Sequence, residues 1–574
     1  MAAGKGEFSG EKVIAEFEQL SRDAAAVQRE TLRRILAGNA AAEYLQRLGL
    51  DGRTGPDSFR ACVPVVRHED LEPYIARIAD GDTSPVLTAT RVNSISLSSG
   101  TTQGKRKYLL FNDEIFKLAM QTYQTSLAFR NRAFPVEDGK SLQFLYASRQ
   151  LTTKGGLTAT TATTNMYNTE EFKASVRSMS CSPCEVLFCP DFRESLYCHL
   201  LCGLLFSGEV RTVSATFAHS LVLWRRWRRC GRSCAPTSAA APRRRRGSPR
   251  RTSGGPCQPS SPARTRRSPA RWRGVIPALW PNARYVHTIV TGSMEHYVKK
   301  LQHYAGGLPL VAADYGASEG MIGANVEPET PPESATFAVL PNIGYFEFIP
   351  LKTSDAVGAD ANACGTEAEP VGLTDVTVVG EDYEVVMTTF TGLYRYRLGD
   401  VVRVAGFYNC TPKLKIIGRR NLTLTINIDK NTEHDVQCAI DGAAKILAGE
   451  RLEVVEYTSY ADLSSNPGHY IIFWELNNDD ASDDGKLLQS CCNELDRGFV
   501  DAGYLSSRVT NAIGPLELRV LRRGTFQKVL CHYISIGAPV SQFKLPRCVP
   551  RSNSGVLQIL SGNTLNVFFS TAYN

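Results

Sequence analysis

Nothing in this chain approaches an uninterrupted run of about eighteen apolar residues, the length a membrane-spanning helix needs. The opening stretch, MAAGKGEFSGEK, also lacks an apolar core followed by a cleavage site, so a soluble, non-secreted, cytoplasmic protein with no membrane partner is expected. The 16 cysteines are scattered through 574 residues. With no secretory signal they read as reduced thiols and not as a disulfide framework. Acidic residues and lysine are absent from 222–273, where 16 arginines stand among Pro, Ser, Ala and Gly. The net charge of +8 is therefore local: the block carries +16 and the remainder −8, which removes the usual argument for a nucleic-acid partner. Beyond Trp224, Trp227 and Trp272 the block lacks stacking aromatics as well. It has neither helix nor strand periodicity, and it is expected to be disordered.

What remains is the composition of a large enzyme. The chain is longer than the ~250–300 residues at which one core stops growing, so more than one domain is expected. Val13, Phe17, Leu20, Ala24, Val27, Leu32 and Ile35 recur at helical spacing over 11–48 and predict two amphipathic helices. Strand-like and helix-like segments alternate from about 85 to 221, which predicts an α/β arrangement. Cys181 and Cys184 have zinc-like spacing, but Cys198 and Cys202 lie in an apolar helical run, YCHLLCGLLF, and core thiols are the expected reading. Residues 352–370 read as a polar surface loop. From about 428 the pattern is strand end, cap at Asn431 or Thr432, helix, a hairpin from EVVEYTSY and HYIIFWEL, a second helix near 485–502 and a further strand and helix.

Three stretches carry chemistry. In SSGTTQGKRK (98–107) Ser98, Ser99, Thr101 and Thr102 surround Gly100, and the stretch follows SISL, a predicted strand end. A loop of this kind presents N–H groups and hydroxyls to a polyphosphate, although its spacing is not that of the common P-loop and a solvated turn is the bland alternative. In YGASEG (315–320), after the apolar LPLVAAD, Tyr315 and Ser318 suit a nucleotide, and Glu319 suits a divalent metal through oxygen. In GLYRYRLGD (392–400) Asp400 is read as closing a strand-like run from Leu393 to Leu398, where a carboxylate can accept both hydroxyls of a ribose. Gly418, Arg419 and Arg420 then interrupt two apolar runs, a break that suits a hinge.

The order of these elements resembles the adenylate-forming enzymes. SLAFRNR (126–132), PNARYV (281–286), TGSMEHYVKKLQHYAG (291–306) and SQFKLPRCV (541–549) resemble, more narrowly, the Gretchen Hagen acyl-acid amido synthetases of plants, and within them the jasmonoyl-amino acid branch. The resemblance spans 10–221 and 274–573. It implies an α/β fold: a large amino-terminal adenylate-forming domain, 1–427, with a smaller mobile α+β domain, 428–574. It also implies an ATP- and Mg²⁺-dependent ligase that adenylates an acyl acid, jasmonate first, and conjugates it to an amino acid such as isoleucine. These small molecules are its implied partners; nothing speaks for an oligomeric state.

The resemblance also implies roles. Ser98, Ser99, Thr101, Thr102, Tyr315, Gly316, Ser318, Glu319 and Asp400 would contact nucleotide, with Glu319 on the metal. Ala119, Tyr123, Ala317 and Met321 would line the acyl-acid site. Thr163, Thr164 and Asn165, with Lys528, would face the amino acid, and Lys430, Lys528 and Lys544 would serve catalysis from the mobile domain. Two departures stand out. The branch usually has Trp where this chain has Met321, and a thioether does not reproduce a rigid ring. In 222–273 the family's acidic amphipathic helices are replaced, as in an out-of-frame or mis-spliced interval, so apolar surface of YCHLLCGLLF and GVIPALW is expected to be partly exposed. Auxin or benzoate conjugation, and a non-catalytic binding protein on the same fold, are the rival readings.

Overall fold

The helical periodicity of the first fifty residues becomes two helices, Gly10–Arg22 and Ala24–Gly38, followed by a short third, Glu43–Arg47. They belong to a computed structural model that describes residues 8–102, 105–136, 138–217, 273–351, 368–419, 424–427, 429, 431–450, 452–479, 485–536, 543–551 and 553–573, without the side chains of 99–102, 105, 106, 216, 217, 293, 296 and 419. The arginine-rich block, apart from its last residue, and most of the 352–370 loop lie outside the described residues. Ile14 and Phe17 of the first helix and Leu32, Ile35 and Leu36 of the second are buried, the stripe the periodicity requires. Gln28 is the polar exception on that stripe. Its Nε2 donates to the carbonyls of Pro341 and Gly344 at 2.6 and 2.7 Å, and its Oε1 accepts from the Phe346 N–H at 2.9 Å, pinning the helix to a sheet.

That sheet has eight antiparallel strands in the order Val371–Gly372, Tyr345–Leu351, Asp382–Thr388, Tyr396–Tyr408, Thr411–Arg419, Phe337–Val339, Gly320–Ala324 and Tyr315–Ala317. A second sheet is parallel, in the order Lys140–Phe144, Val210–Phe217, Tyr285–Ile289 and Leu310–Ala312. Apolar residues on both faces of its short strands suit a sheet buried on both sides. A third small sheet joins Lys105–Phe111, Ser94–Thr102, Thr158–Thr160 and Leu151–Thr152. These three share one apolar core drawn from residues between Ile14 and Leu414.

Residues from Leu424 onward build separate cores around a fourth sheet, Val454–Asp462, His469–Leu476, Glu517–Leu521 and Thr564–Phe569, with helices Glu433–Ala448 and Gly485–Arg497 packed together. The first two strands are the expected antiparallel hairpin. Of the two cap candidates Thr432 is the cap: its hydroxyl accepts from the Asp435 N–H, and the Asp435 carboxylate accepts from the Thr432 N–H at 2.7 Å.

The helix Phe192–Leu205 buries Ser195, Leu196, His199 and Gly203. Gly203 is dictated by packing, because a Cβ there would meet Leu142 Cδ2 at 2.7 Å. The opposite face exposes Tyr197 (52 %), Leu201 (44 %) and Leu205 (74 %), so YCHLLCGLLF does present apolar surface. In GVIPALW, Ile276 and Trp280 are fully buried, with Trp280 Nε1 donating to the Gly203 carbonyl at 2.8 Å, while Val275, Pro277 and Leu279 are half-buried and Ala278 is exposed. Cys181 and Cys184 are buried, with the Cys184 thiol on the Lys173 carbonyl. No helix among the described residues is long and apolar enough to cross a membrane.

Two predictions follow from this packing. Gln28→Met keeps the volume but strips partners from the Gly344 carbonyl and the Phe346 N–H, and should cost about 1–3 kcal/mol for each orphaned group; a urea midpoint equal to wild type would refute the pinning role. Leu201→Lys with Leu205→Lys should leave stability within about 0.5 kcal/mol and reduce aggregation in light scattering. A fall in Tm of several degrees would mean that this face is covered.

Candidate functional site

Each of the three stretches is positioned by a local irregularity of a strand. The first is not a loop after a strand end. Ser94–Thr102 and Lys105–Phe111 form a hairpin, and its register breaks between Leu97 and Thr101, so that Ser98, Ser99 and Gly100 face the single residue Lys107. A bulge of this kind bends the strand and turns backbone groups outward. Ser98 is buried, whereas the side chains of Ser99, Thr101 and Thr102 are among those not described.

Asp400 does not close a strand either. The strand starts at Tyr396 and runs to Tyr408; before it, Gly392 (φ +96°) and Arg395 (φ +45°) make a turn. Arg395 can hold that conformation because it is over-determined. Its guanidinium forms a two-point pair with buried Glu347 at 3.0 and 3.1 Å and donates to the Val63 and Arg60 carbonyls. Arg397 pairs with buried Glu384 at 3.0 and 2.5 Å. Between Val386↔Arg397 and Glu384↔Val401 the strand carries two extra residues, with Gly399 at φ +81° inside the bulge, and this sets the direction of Asp400. The presumed hinge is likewise strand, since Gly418 and Arg419 pair with Val401 and Asp400; 420–423 lie outside the described residues.

The second stretch is a hairpin, Tyr315–Ala317 with Gly320–Ala324, and Ser318 and Glu319 occupy its turn. Two hydroxyls cross-link it to the third. Tyr315 donates to Asp400 Oδ2 at 3.0 Å, and Tyr396 donates to Glu319 Oε1 at 3.2 Å. Both carboxylates are buried, Glu319 to 5 % and Asp400 to 7 % exposure. Each motif thus supplies the donor that holds the other's acid, a pairing that sequence reading missed.

The helix Asp113–Ala133 packs against Gly320–Ala324, which brings the elements carrying Ala119, Tyr123 and Met321 together. Ser126 Oγ accepts from the Asn325 N–H at 3.0 Å and fixes that contact. Met321 lies opposite Gly316 across the hairpin, and a Cβ at 316 would come within 2.5 Å of its sulfur. The glycine there makes room for the thioether.

Other expected residues have structural duties. Thr163, Thr164 and Asn165 open a helix, Ala162–Tyr167, capped by Thr161. Thr164 Oγ1 accepts from the Ser148 N–H at 2.8 Å, and Asn165 Nδ2 donates to the Ile95 carbonyl and Ser96 Oγ at 3.3 and 3.1 Å, tying the helix to the strand that carries Ser98. Lys528 Nζ donates to Asn563 Oδ1 at 2.6 Å on its own side of the molecule. Lys544 is exposed shortly before Arg547, and Lys430 lies outside the described residues. The halves meet at Glu456, whose carboxylate accepts from Tyr297 OH at 2.5 Å and Arg547 Nη1 at 2.6 Å. A solvent-open groove of about 570 Å³ along Arg22, Arg29, Val376 and Phe407 contains no motif residue.

Against known proteins, residues 13–227 and 259–310 match the GH3 family N-terminal domain, 337–419 its central domain and 434–553 its C-terminal domain. The chain belongs to the GH3 family. The unmatched interval, between 227 and 259, is narrower than 222–273, so family wording reaches into the arginine-rich block from both sides. A rice protein named probable indole-3-acetic acid-amido synthetase GH3.12 is 60 % identical over 98 % of this chain and 97 % of its own. Jasmonoyl-L-amino acid synthetase JAR4 of Nicotiana attenuata is 55 % identical over 99 % and 98 %. The solved GH3.15 acyl acid amido synthetase superposes with a TM-score of 0.82 at 30 % identity, covering 99 % of both chains. This GH3 protein is accordingly an amido synthetase, a ligase on the large-plus-small-domain α/β fold.

Tyr315→Phe and Tyr396→Phe each delete one donor to a buried carboxylate. Each should lower stability by about 1.5–3 kcal/mol, the usual worth of a hydrogen bond to a charged group. Urea unfolding of both variants checks this, and midpoints equal to wild type would mean that the crossed bonds hold nothing.

Proposed function

We propose that this GH3 protein joins an acyl acid to ATP as an acyl adenylate and then passes the acyl group to an amino acid, with jasmonate as the acid and isoleucine as an amine donor. A carboxylate is a poor acylating agent because oxide is a poor leaving group. One of its oxygens therefore attacks the α-phosphorus and pyrophosphate departs; the neutral amine of the amino acid next attacks the acyl carbon of the anhydride, loses a proton to solvent, and AMP leaves. The observation that carries this reading is the crossed pair Tyr315–Asp400 and Tyr396–Glu319, which brings the carboxylate suited to a ribose and the one suited to a cation into a single unit.

In that unit Asp400 accepts from the ribose hydroxyls, and Ser98, Ser99, Thr101 and Thr102 donate to phosphate oxygens from the bulged hairpin. Tyr315, Gly316 and Ser318 flank the nucleotide. Glu319, an oxygen donor held by Tyr396, suits Mg²⁺, which when bound offsets charge on the phosphates. Ala119, Tyr123, Ala317 and Met321 form the acid's wall. The unit from about 428 onward is the mobile half, bringing Lys430, Lys528 and Lys544 to the developing charge. Thr163, Thr164 and Asn165 are the amino-acid contacts, carried on a helix that Thr164 and Asn165 tie to the rest of the domain. Indole-3-acetate is the second reading for the acid, favoured by the name of the 60 % identical rice relative.

Acid-dependent exchange of pyrophosphate into ATP across jasmonate, indole-3-acetate and benzoates tests the reaction and ranks the acids. Exchange that ignores the acid would end the ligase reading. Asp400→Asn should cost roughly 1.5–3 kcal/mol, about 10- to 150-fold, in ATP use, and wild-type kinetics would remove Asp400 from the site. Met321→Trp should shift preference toward jasmonate by about 1–3 kcal/mol if residue 321 walls the acid. An unchanged ranking would show that it does not.

A further inference from the structure

Two stretches that carry the family resemblance have, apart from Lys544, no part in the reaction as described: TGSMEHYVKKLQHYAG at 291–306 and SQFKLPRCV at 541–549. The fold brings them together. The first opens with a short 3₁₀ helix, Gly292–Tyr297, which packs against the strand Thr411–Arg419, and the helix Glu433–Ala448 of the small half packs against the same strand. At the end of the 3₁₀ helix Tyr297 OH donates to Glu456 Oε2 at 2.5 Å, across the joint between the halves.

Glu456 is aimed at that joint by an irregularity. The strand Val454–Asp462 carries one extra residue, Val455, between the pairs Val454↔Leu476 and Glu456↔Glu475, and a bulge of this kind redirects the side chain beside it. The second stretch lies along the outer edge of the same strand. The Ser459 N–H donates to the Arg547 carbonyl and the Val549 N–H to the Ser459 carbonyl, both at 2.8 Å, and Thr458 Oγ1 donates to the Pro546 carbonyl at 2.6 Å. Arg547 then turns back: its Nη1 donates to Glu456 Oε1 at 2.6 Å and to the Tyr457 carbonyl at 2.8 Å. Lys544 stands exposed three residues earlier on this stretch, next to buried Leu545.

The two bonds to Glu456 differ in kind. Its pair with Arg547 joins two charges, the arginine buried to 2 % exposure, and parting them would strand a charge away from water. Tyr297 brings a neutral hydroxyl, which burial and the Glu456 carboxylate hold well above its ordinary value, so it stays a donor. That bond can open and leave the charge pair whole. The contact within the small half is thus fixed, and the contact between the halves is reversible. We propose that Tyr297, Glu456 and Arg547 are positioning residues: Glu456 and Arg547 fix the stretch that carries Lys544, and Tyr297 couples that stretch to the half that carries the nucleotide motifs. The placement of Lys544 over the phosphates then depends on the hydroxyl of Tyr297. This rests on the proposed ligase reaction, in which Lys544 acts on the developing charge.

The test is a double-mutant cycle, because residues that act through one another do not add. The kcat for acid-dependent pyrophosphate exchange and for amide formation, with saturating jasmonate or indole-3-acetate and isoleucine, is measured in wild type, Tyr297→Phe, Lys544→Ala and the double variant, with Tm alongside. Tyr297→Phe keeps the ring and should lower at least one of the two kcat values about 10- to 100-fold, the cost of an ångström-scale misplacement. In the Lys544→Ala background the same substitution should change nothing further. Glu456→Gln, cycled against Lys544→Ala in the same way, gives the answer if Tyr297→Phe does not fold. Wild-type rates in Tyr297→Phe or in Lys544→Ala, or losses that multiply in the double variant, would overturn the proposal. A wild type without acid-dependent exchange would instead refute the ligase reading.

Discussion

Two tyrosine hydroxyls crossing between two motifs are the constraint on which the site depends. Asp400 comes from a strand and Glu319 from a hairpin turn separated from it in the sheet by two strands, and burying a polar group below a tenth of its surface is costly unless it is hydrogen-bonded. Tyr315 and Tyr396 supply those donors in opposite directions, so neither acid can move without its motif pulling on the other. The irregularities of the central strand serve this geometry. The bulge at Gly399 directs Asp400, and the two-point pairs of Arg395 and Arg397 with Glu347 and Glu384 hold the turn that precedes it. Buried ion pairs of this sort contribute little net stability compared with apolar packing, but removing one partner is expensive. Their effect is to make one arrangement of YRYRLGD far better than its neighbours.

How far all this was legible depends on range. Local signals read well: the stripe from Ile14 to Leu36, the Thr432 cap and the 454–476 hairpin each follow from residues a few positions apart. The motif residues were found by type and order, but their backbone was misread. The alternation from Leu393 to Leu398 looks like a strand, yet left-handed turns at Gly392 and Arg395 delay the strand to Tyr396, and only φ values reveal that. Gly/Ser/Thr content at 98–104 suggested a loop, where pairing carries the strand through a bulge. The crossed tyrosines join residues far apart in sequence, and no local pattern encodes them.

One contact between the two halves is polar where their cores are apolar. Glu456 takes a phenol from one half and a guanidinium from the other, and the Arg547 guanidinium lies 4.2 Å from the Tyr457 ring. Arg547 is 2 % exposed, so Glu456 and Arg547 form a buried charge pair within one half, and the Tyr297 hydroxyl is the donor that reaches it from the other.

The residues proposed for the acid's wall are held by a different contact. Ala119, Tyr123 and Met321 stand on a helix and a strand whose contact is fixed elsewhere, through Ser126 and Asn325. None of these three is itself a partner in Tyr315–Asp400 or Tyr396–Glu319. Met321 illustrates the separation: its thioether lies over Gly316, a position where any Cβ would collide with it, and its hairpin keeps the same register. In the proposed reading, relatives named for jasmonate and for indole-3-acetate share one nucleotide geometry and differ in the layer of packing beside the crossed bonds.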